Sequence, residues 1–137
     1  MIGKALCCNI NWSAVSAICT FLATIVALIV PFIMSRITFK KERKDLLFDI
    51  DDTMFSLLYY CNGELDNSEE TYYNIKYLCF RLHNFLKKGV KCYNLKKYAN
   101  LLNIVEKILF ANEFQYKNEL NLFVDEYNSL KHRKGII

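Results

Sequence analysis

Residues 12–34 read WSAVSAICTFLATIVALIVPFIM, 23 consecutive positions without an Asp, Glu, Lys or Arg. Coiled as an α-helix, the stretch is about 34 Å long, against a bilayer hydrocarbon core of about 30 Å. Eleven of its residues are Val, Ile, Leu or Phe, and four are Ser or Thr. That content favours insertion into lipid, where a helix satisfies its own backbone. Trp12 and Arg36 flank the stretch, an aromatic anchor and a cation suited to the two interfaces. The stretch predicts a membrane-spanning helix over 12–34 rather than a buried core helix. A cleaved export signal fits poorly, since its apolar region runs about 7–15 residues and ends at an Ala-x-Ala-like site. This run is longer and ends in Pro31-Phe32-Ile33-Met34-Ser35-Arg36.

Charge divides the chain around this span. Ala5 to Ser35 holds no charged residue, and Lys4 is the only one before it. The reading is a short extracytoplasmic N-terminus (1–11), a transmembrane helix (12–34), a basic juxtamembrane segment (35–45) and a water-soluble domain (46–137). The 137 residues have room for one small domain. Their 53% apolar content excludes an intrinsically disordered chain. Arg36, Lys40, Lys41, Arg43 and Lys44 follow the span, so the positive-inside rule predicts a single pass, N-out and C-in. Asn, Lys, Ile, Tyr and Phe are abundant, a usage associated with AT-rich bacterial or mobile genes. The expected location is a bacterial inner membrane. Cys7 and Cys8 read as two thiols near the membrane surface, with palmitoylation open in a eukaryote. Asn11-Trp12-Ser13 matches a glycosylation sequon but abuts the membrane.

The span has two unlike faces. Ser13, Ser16, Ala17, Thr20, Thr24 and Ala27 share one side at helical spacing; Leu22, Ile25, Ile29 and Phe32 share the other. Small residues let two helices approach closely, and hydroxyls can bond across the contact, which predicts a homo-oligomer. The alternative is that the hydroxyls bond their own helix's carbonyls. Pro31 is expected to kink or end the helix, with any break falling between Pro31 and Thr38.

The remaining residues show four helical periodicities and no strand-type alternation. Leu47, Ile50, Met54, Leu57 and Cys61 step by three and four, within a helix of about 40–61. Asn62-Gly63 ends it. A second helix starts at Asn67 or Ser68 and stops at Gly89, with Ile75, Leu78, Cys79, Leu82, Phe85 and Leu86 inward. The third, about 94–110, turns Leu95, Tyr98, Leu101, Leu102, Val105, Ile108 and Leu109 inward. The fourth, about 112–131, does so with Tyr116, Leu120, Phe123, Tyr127 and Leu130. The predicted fold class is all-α: one N-terminal transmembrane helix and a cytosolic bundle of about four helices. The seams would close the bundle on itself or pair it with a second copy.

Charge in the soluble part falls in blocks. Residues 36–48 carry five basic and two acidic residues; 49–70 carry seven acidic and none basic; 71–137 carry twelve basic and five acidic. The juxtamembrane group suits an anionic leaflet. Lys87, Lys88, Lys91, Lys96 and Lys97 form a second basic block, suited to lipid head groups, an acidic partner or plain solvation. Nucleic acid is not an expected partner, because no recognition motif accompanies the charge.

Candidate chemistry is sparse. Asp49-Ile50-Asp51-Asp52-Thr53 after an apolar run resembles the first motif of the haloacid dehalogenase-like phosphatases. The resemblance implies Asp49 as nucleophile, Asp51 as acid/base and a Mg²⁺ between carboxylates. It covers eight residues, and the alternating strands of that α/β family do not follow; the alternative is an acidic helix face. Among the cysteines none forms Cys-x-x-Cys, and no metal ligand spacing occurs. Cys79 and His83 stand i, i+4, so a Cys–His couple would share a face. No cofactor, metal or catalytic residue is expected, and the protein is read as non-enzymatic.

Residues 11–44 also loosely resemble small bacterial single-pass membrane proteins with a Trp-Ser-Ala-type span, a basic segment and a helical domain. Some of these sit in prophage or anti-phage defence operons. The Ser/Thr/Ala stripe and the heptad seams predict a membrane effector that self-associates through its span and perturbs the inner membrane, and the resemblance adds the context of abortive infection or anti-phage defence. The alternative is an anchor or adaptor whose bundle recruits a cytosolic protein.

Overall fold

The computed structural model describes residues 11–63, 68–113 and 115–134. The protein is all-α: helix α1 spans Trp12–Asn62, α2 Glu69–Cys92, α3 Ala99–Phe110 and α4 Tyr116–Lys134, with a 3-10 turn at Lys96–Tyr98. No strand occurs among the described residues. Packing divides the chain after Lys41 into two units. The expected N-terminal segment, with Cys7 and Cys8, falls almost wholly outside the described residues.

In the first unit, α1 begins at an asparagine suited to capping. The Asn11 side-chain oxygen accepts the Ala14 N–H at 3.3 Å, and its carbonyl accepts that of Val15 at 3.0 Å. Phe21, Leu28 and Phe32 are exposed, and none of residues 12–41 is buried. An apolar surface of this length with no protein over it is long and apolar enough to cross a membrane.

α1 does not end between Pro31 and Thr38 but runs on through Pro31 to Asn62. Proline removes one helical N–H and leaves the Ala27 carbonyl without its usual donor, a defect spanning helices absorb by local adjustment. Residues 32–45 contain no Gly, Pro or Asn to end the helix afterwards.

In the second unit, one core gathers Leu46, Ile50, Met54 and Leu57 of α1 with Ile75, Cys79, Leu82 and Leu86 of α2. Tyr93, Leu95 and Tyr98 around the 3-10 turn, Leu101, Val105 and Ile108 of α3 and Tyr116, Leu120, Phe123 and Leu130 of α4 complete it. Leu46 rather than Leu47 opens the α1 seam, and Cys61 at its far end is half-buried. Ser68 caps α2: its hydroxyl accepts the Thr71 N–H at 3.3 Å, and Glu69 and Glu70 fill the first turn.

Gly89 does not end α2, which continues to Cys92. Its absent side chain serves packing: a Cβ there would lie 3.1 Å from Leu95 Cδ1, 3.6 Å from Ile50 Cδ1 and 3.7 Å from Leu46 Cδ2. The helix stops instead around Asn94, which adopts φ 54°, a left-handed value that Asn tolerates better than most residues. The Tyr93 and Leu95 N–H groups both donate to the Gly89 carbonyl. Consequently α3 starts at Ala99, after a 3-10 turn, rather than at Asn94. The fourth helix starts at Tyr116, because the Asn112 carbonyl is occupied in a turn by the Gln115 and Tyr116 N–H groups.

Candidate interaction surfaces

The span presents its small face to the outside. Ser13, Ser16, Ala17, Thr20, Thr24 and Ala27 are all exposed. Two of the hydroxyls are satisfied within the helix: Thr20 donates to the Ser16 carbonyl and Thr24 to the Thr20 carbonyl, each at 2.9 Å. Neither is obliged to find a partner helix. The Arg36 guanidinium lies 4.7 Å from the Phe32 ring centre, so the cation after the span folds back over an apolar ring.

The bundle exposes a second surface that the seam arithmetic does not contain. Turning Ile50, Met54 and Leu57 inward forces Phe48, Phe55 and Tyr59 outward on α1. On α2, inward Ile75, Cys79 and Leu82 leave Tyr73, Tyr77 and Phe80 outward. These six aromatic residues are 56–76% exposed. Phe55, Tyr59, Tyr60, Tyr77 and Leu78 border one cavity of about 410 Å³ between the two helices. Phe55 and Tyr59 also border a larger one, about 750 Å³, shared with Val124, Tyr127 and Lys131 of α4. Its border is mixed in charge: Asp51 and Asp52 each stand three or four residues from both Phe48 and Phe55, and Glu69 and Glu70 lie one turn before Tyr73, while Lys44 stands four residues before Phe48 and the Arg81 guanidinium lies 6.0 Å from the Tyr77 ring centre. The signal was present as aromatics at helical spacing that miss the inward seam.

The phosphatase-like motif sits wholly inside α1. Asp49, Asp51 and Asp52 are exposed, and the Thr53 hydroxyl is spent on the Asp49 carbonyl at 2.7 Å. The strand that displays such a motif in the α/β family is absent at these residues.

No family model, curated protein or solved structure matches this chain.

Its remaining polar contacts tie helices together. The His83 Nε2 lies 3.0 Å from Glu106 Oε1, joining α2 to α3. Cys79, one turn before His83, is fully buried, and burial pushes its thiol up to about 12. The thiolate that a Cys–His couple needs is therefore disfavoured. Tyr98 is buried in the wall of a smaller cavity of about 270 Å³, beside Asp51, Phe55 and Tyr127, and its hydroxyl has no hydrogen-bond partner among the described residues. Burial, then the nearby Asp51 carboxylate, push that phenol up to about 12. Among the described residues no cluster of three His, Cys, Asp or Glu is placed to hold a metal ion.

The basic residues of the sequence reading separate. Arg36, Lys40 and Lys41 belong to the first unit. Arg43, Lys44, Lys87, Lys88, Lys91, Lys96 and Lys97 belong to the second, where all are exposed.

Proposed function

We propose that this protein is a membrane-anchored, non-enzymatic effector whose bundle receives a protein partner on the aromatic face of α1 and α2. The observation that carries the reading is that face: six outward aromatic residues on a bundle whose inward seams are already filled. Exposed aromatic area of this kind marks interaction surfaces rather than solvated helix. Its mixed border, with Asp51, Asp52, Glu69 and Glu70 beside Lys44 and Arg81, suits a cytosolic protein presenting an apolar helix whose flanks carry both signs of charge.

In this reading residues 12–34 span a bacterial inner membrane with the bundle on the cytoplasmic side. Copies associate through the Ser/Thr/Ala face and perturb the membrane once the partner binds, a behaviour suited to anti-phage defence. The second reading, an adaptor that leaves the membrane intact, is favoured by Thr20 and Thr24, whose hydroxyls are bonded inside their own helix.

Induced expression in bacteria with a potential-sensitive dye tests the effector. Depolarisation is expected with the native span and not with a poly-Leu span of the same length. A native chain that never depolarises the membrane, with or without captured partner, would falsify the effector and leave the adaptor. Phe55→Ser with Tyr77→Ser is expected to abolish partner capture while the helical circular dichroism signal is kept. Unchanged capture removes the aromatic face from the proposal.

A further inference from the structure

Two basic segments far apart in sequence meet at one end of the bundle. The Tyr93 hydroxyl donates to Glu42 Oε2 at 2.8 Å, across 51 residues of chain. One turn further along α1, Gly89 brings the α2 backbone against Leu46 and Ile50, with Leu95 closing the same contact. Arg43 and Lys44 lie within a turn of Leu46 on α1. Lys87, Lys88 and Lys91 lie within a turn of Gly89 on α2, and Lys96 and Lys97 follow Leu95 directly. All are exposed, and the carboxylates from Glu42 to Leu46 are only Glu42, already engaged by Tyr93, and Asp45. Seven cations therefore lie within a turn of the residues that meet at this end of the bundle, the end that begins with Glu42.

We propose that this end of the bundle is an anionic-lipid surface, holding phosphate head groups with Lys87, Lys88, Lys91 and Lys96 beside Arg43 and Lys44. Three features select lipid over nucleic acid. The surface displays ammonium groups on three separate backbone segments, a spread suited to several head groups. From Lys87 to Tyr98 it offers no outward ring on which unpaired bases stack, since Tyr93 and Tyr98 are buried. Arg43 and Lys44 also follow Met34 by only nine and ten residues of chain, which keeps them close to any leaflet that residues 12–34 enter. A lysine near such a surface gains roughly 1 kcal/mol, or roughly fivefold in local binding, and salt removes it. The inference rests on the spanning reading but not on partner binding by the aromatic face.

The test is lysine footprinting of the full chain in two lipid nanodiscs, one of phosphatidylcholine alone and one also containing phosphatidylglycerol. A neutral acetylating reagent reports each amine by mass spectrometry. The expected result is a severalfold drop in labelling at Lys87, Lys88, Lys91 and Lys96 in the anionic disc, reversed by high salt. Exposed Lys107 and Lys131, on α3 and α4, should label equally in both discs. Equal labelling of the basic end in both discs overturns the proposal. So does protection by soluble polyphosphate in the neutral disc without protection in the anionic one. A chain that enters neither disc overturns the spanning reading along with it, whereas lost partner capture with intact lysine protection strikes the aromatic face alone.

Discussion

The Lys76 ammonium lies 2.6 Å from the Ile108 carbonyl oxygen, and 2.9 Å from those of Leu109 and Ala111. A cation on α2 thus closes the C-terminal end of α3, where the last carbonyls lack their i+4 donors, Ile108 receiving from the backbone only the Ala111 N–H at 3.3 Å, and the helix dipole is negative. The Tyr72 ring, 5.4 Å away, covers the amine from its own helix. Lys76→Met keeps the stem and removes the three bonds. With charged hydrogen bonds each contributing about 1.5–3 kcal/mol, the loss should be at least about 1.5 kcal/mol. Urea unfolding of the full chain in mild detergent, followed by circular dichroism, measures it. An unchanged midpoint would show that water serves those carbonyls equally well.

Alkaline pH should loosen the bundle through groups it buries. Burial pushes the Cys61 thiol up to about 11, the Cys79 thiol up to about 12 and the Tyr98 phenol up to about 12. The folded state therefore keeps protons that the unfolded chain releases near its ordinary values. The stability these groups contribute is whole below about pH 9 and is lost as pH climbs through 11 to 12. Lys76 works the other way. Burial lowers its pKa, so unfolding takes up a proton there and stability gains as pH rises. Tyr93, pushed up by its hydrogen bond to Glu42, and Tyr116, pushed up by burial, act in the same downward sense, so five groups oppose one. Melting temperatures taken under reducing conditions at neutral pH and near pH 10.5 should fall. They should fall less in Cys79→Ala, measured against that variant's own neutral value. A parallel fall in both proteins would remove Cys79 from the account.

Periodicity was enough to find the inward faces because it reports what helices must do to bury apolar area. Ile50, Met54, Leu57, Leu82, Val105 and Phe123 lie in the core where their spacing puts them. It was blind to two other things. Spacing does not say which turn of a seam meets a neighbour, so Leu46 replaced Leu47 at one end. Nor does it foresee backbone acceptors: Lys76 reaches carbonyls 32–35 residues away that carry no mark in the sequence. Gly89 reads as a stop by composition, yet only the tertiary contact with Leu95 and Ile50 shows why no side chain fits. Of the interaction surfaces, the small face of the span and the two basic blocks were legible as patterns. The aromatic face was hidden because Phe and Tyr off the seam look, in composition, like core.

Gly89 makes a graded series possible. Alanine at a helix interior gains up to about 1 kcal/mol over glycine, but its Cβ meets Leu95 Cδ1 at 3.1 Å. That atom is the end of a flexible side chain and can shift by a few tenths of an ångström. Gly89→Ala is therefore expected near neutral. Gly89→Val adds two further carbons against Leu46 and Ile50 as well, where overpacking costs about 1–3 kcal/mol. Chemical unfolding of the pair should separate them clearly. A valine variant as stable as the alanine would mean that α1 and α2 are free to move apart at this point.

The span makes a sharper distinction between its small residues and its hydroxyls. If copies associate through the Ser/Thr/Ala face, close backbone approach supplies the attraction, because Thr20 and Thr24 already donate to Ser16 and Thr20 within one helix. Ala17→Leu with Ala27→Leu fills that approach and should reduce self-association in liposomes severalfold, read by energy transfer between labelled chains. Thr20→Val with Thr24→Val conserves shape and removes only the hydroxyls. It should leave association within about twofold, since interhelical hydrogen bonds in lipid average only about 0.6 kcal/mol even where they form. The reverse pattern, with the valine pair dissociating and the leucine pair not, would mean that the hydroxyls leave their own carbonyls to bond a neighbour. Insensitivity to both pairs would put any association of this chain in the bundle rather than in the membrane.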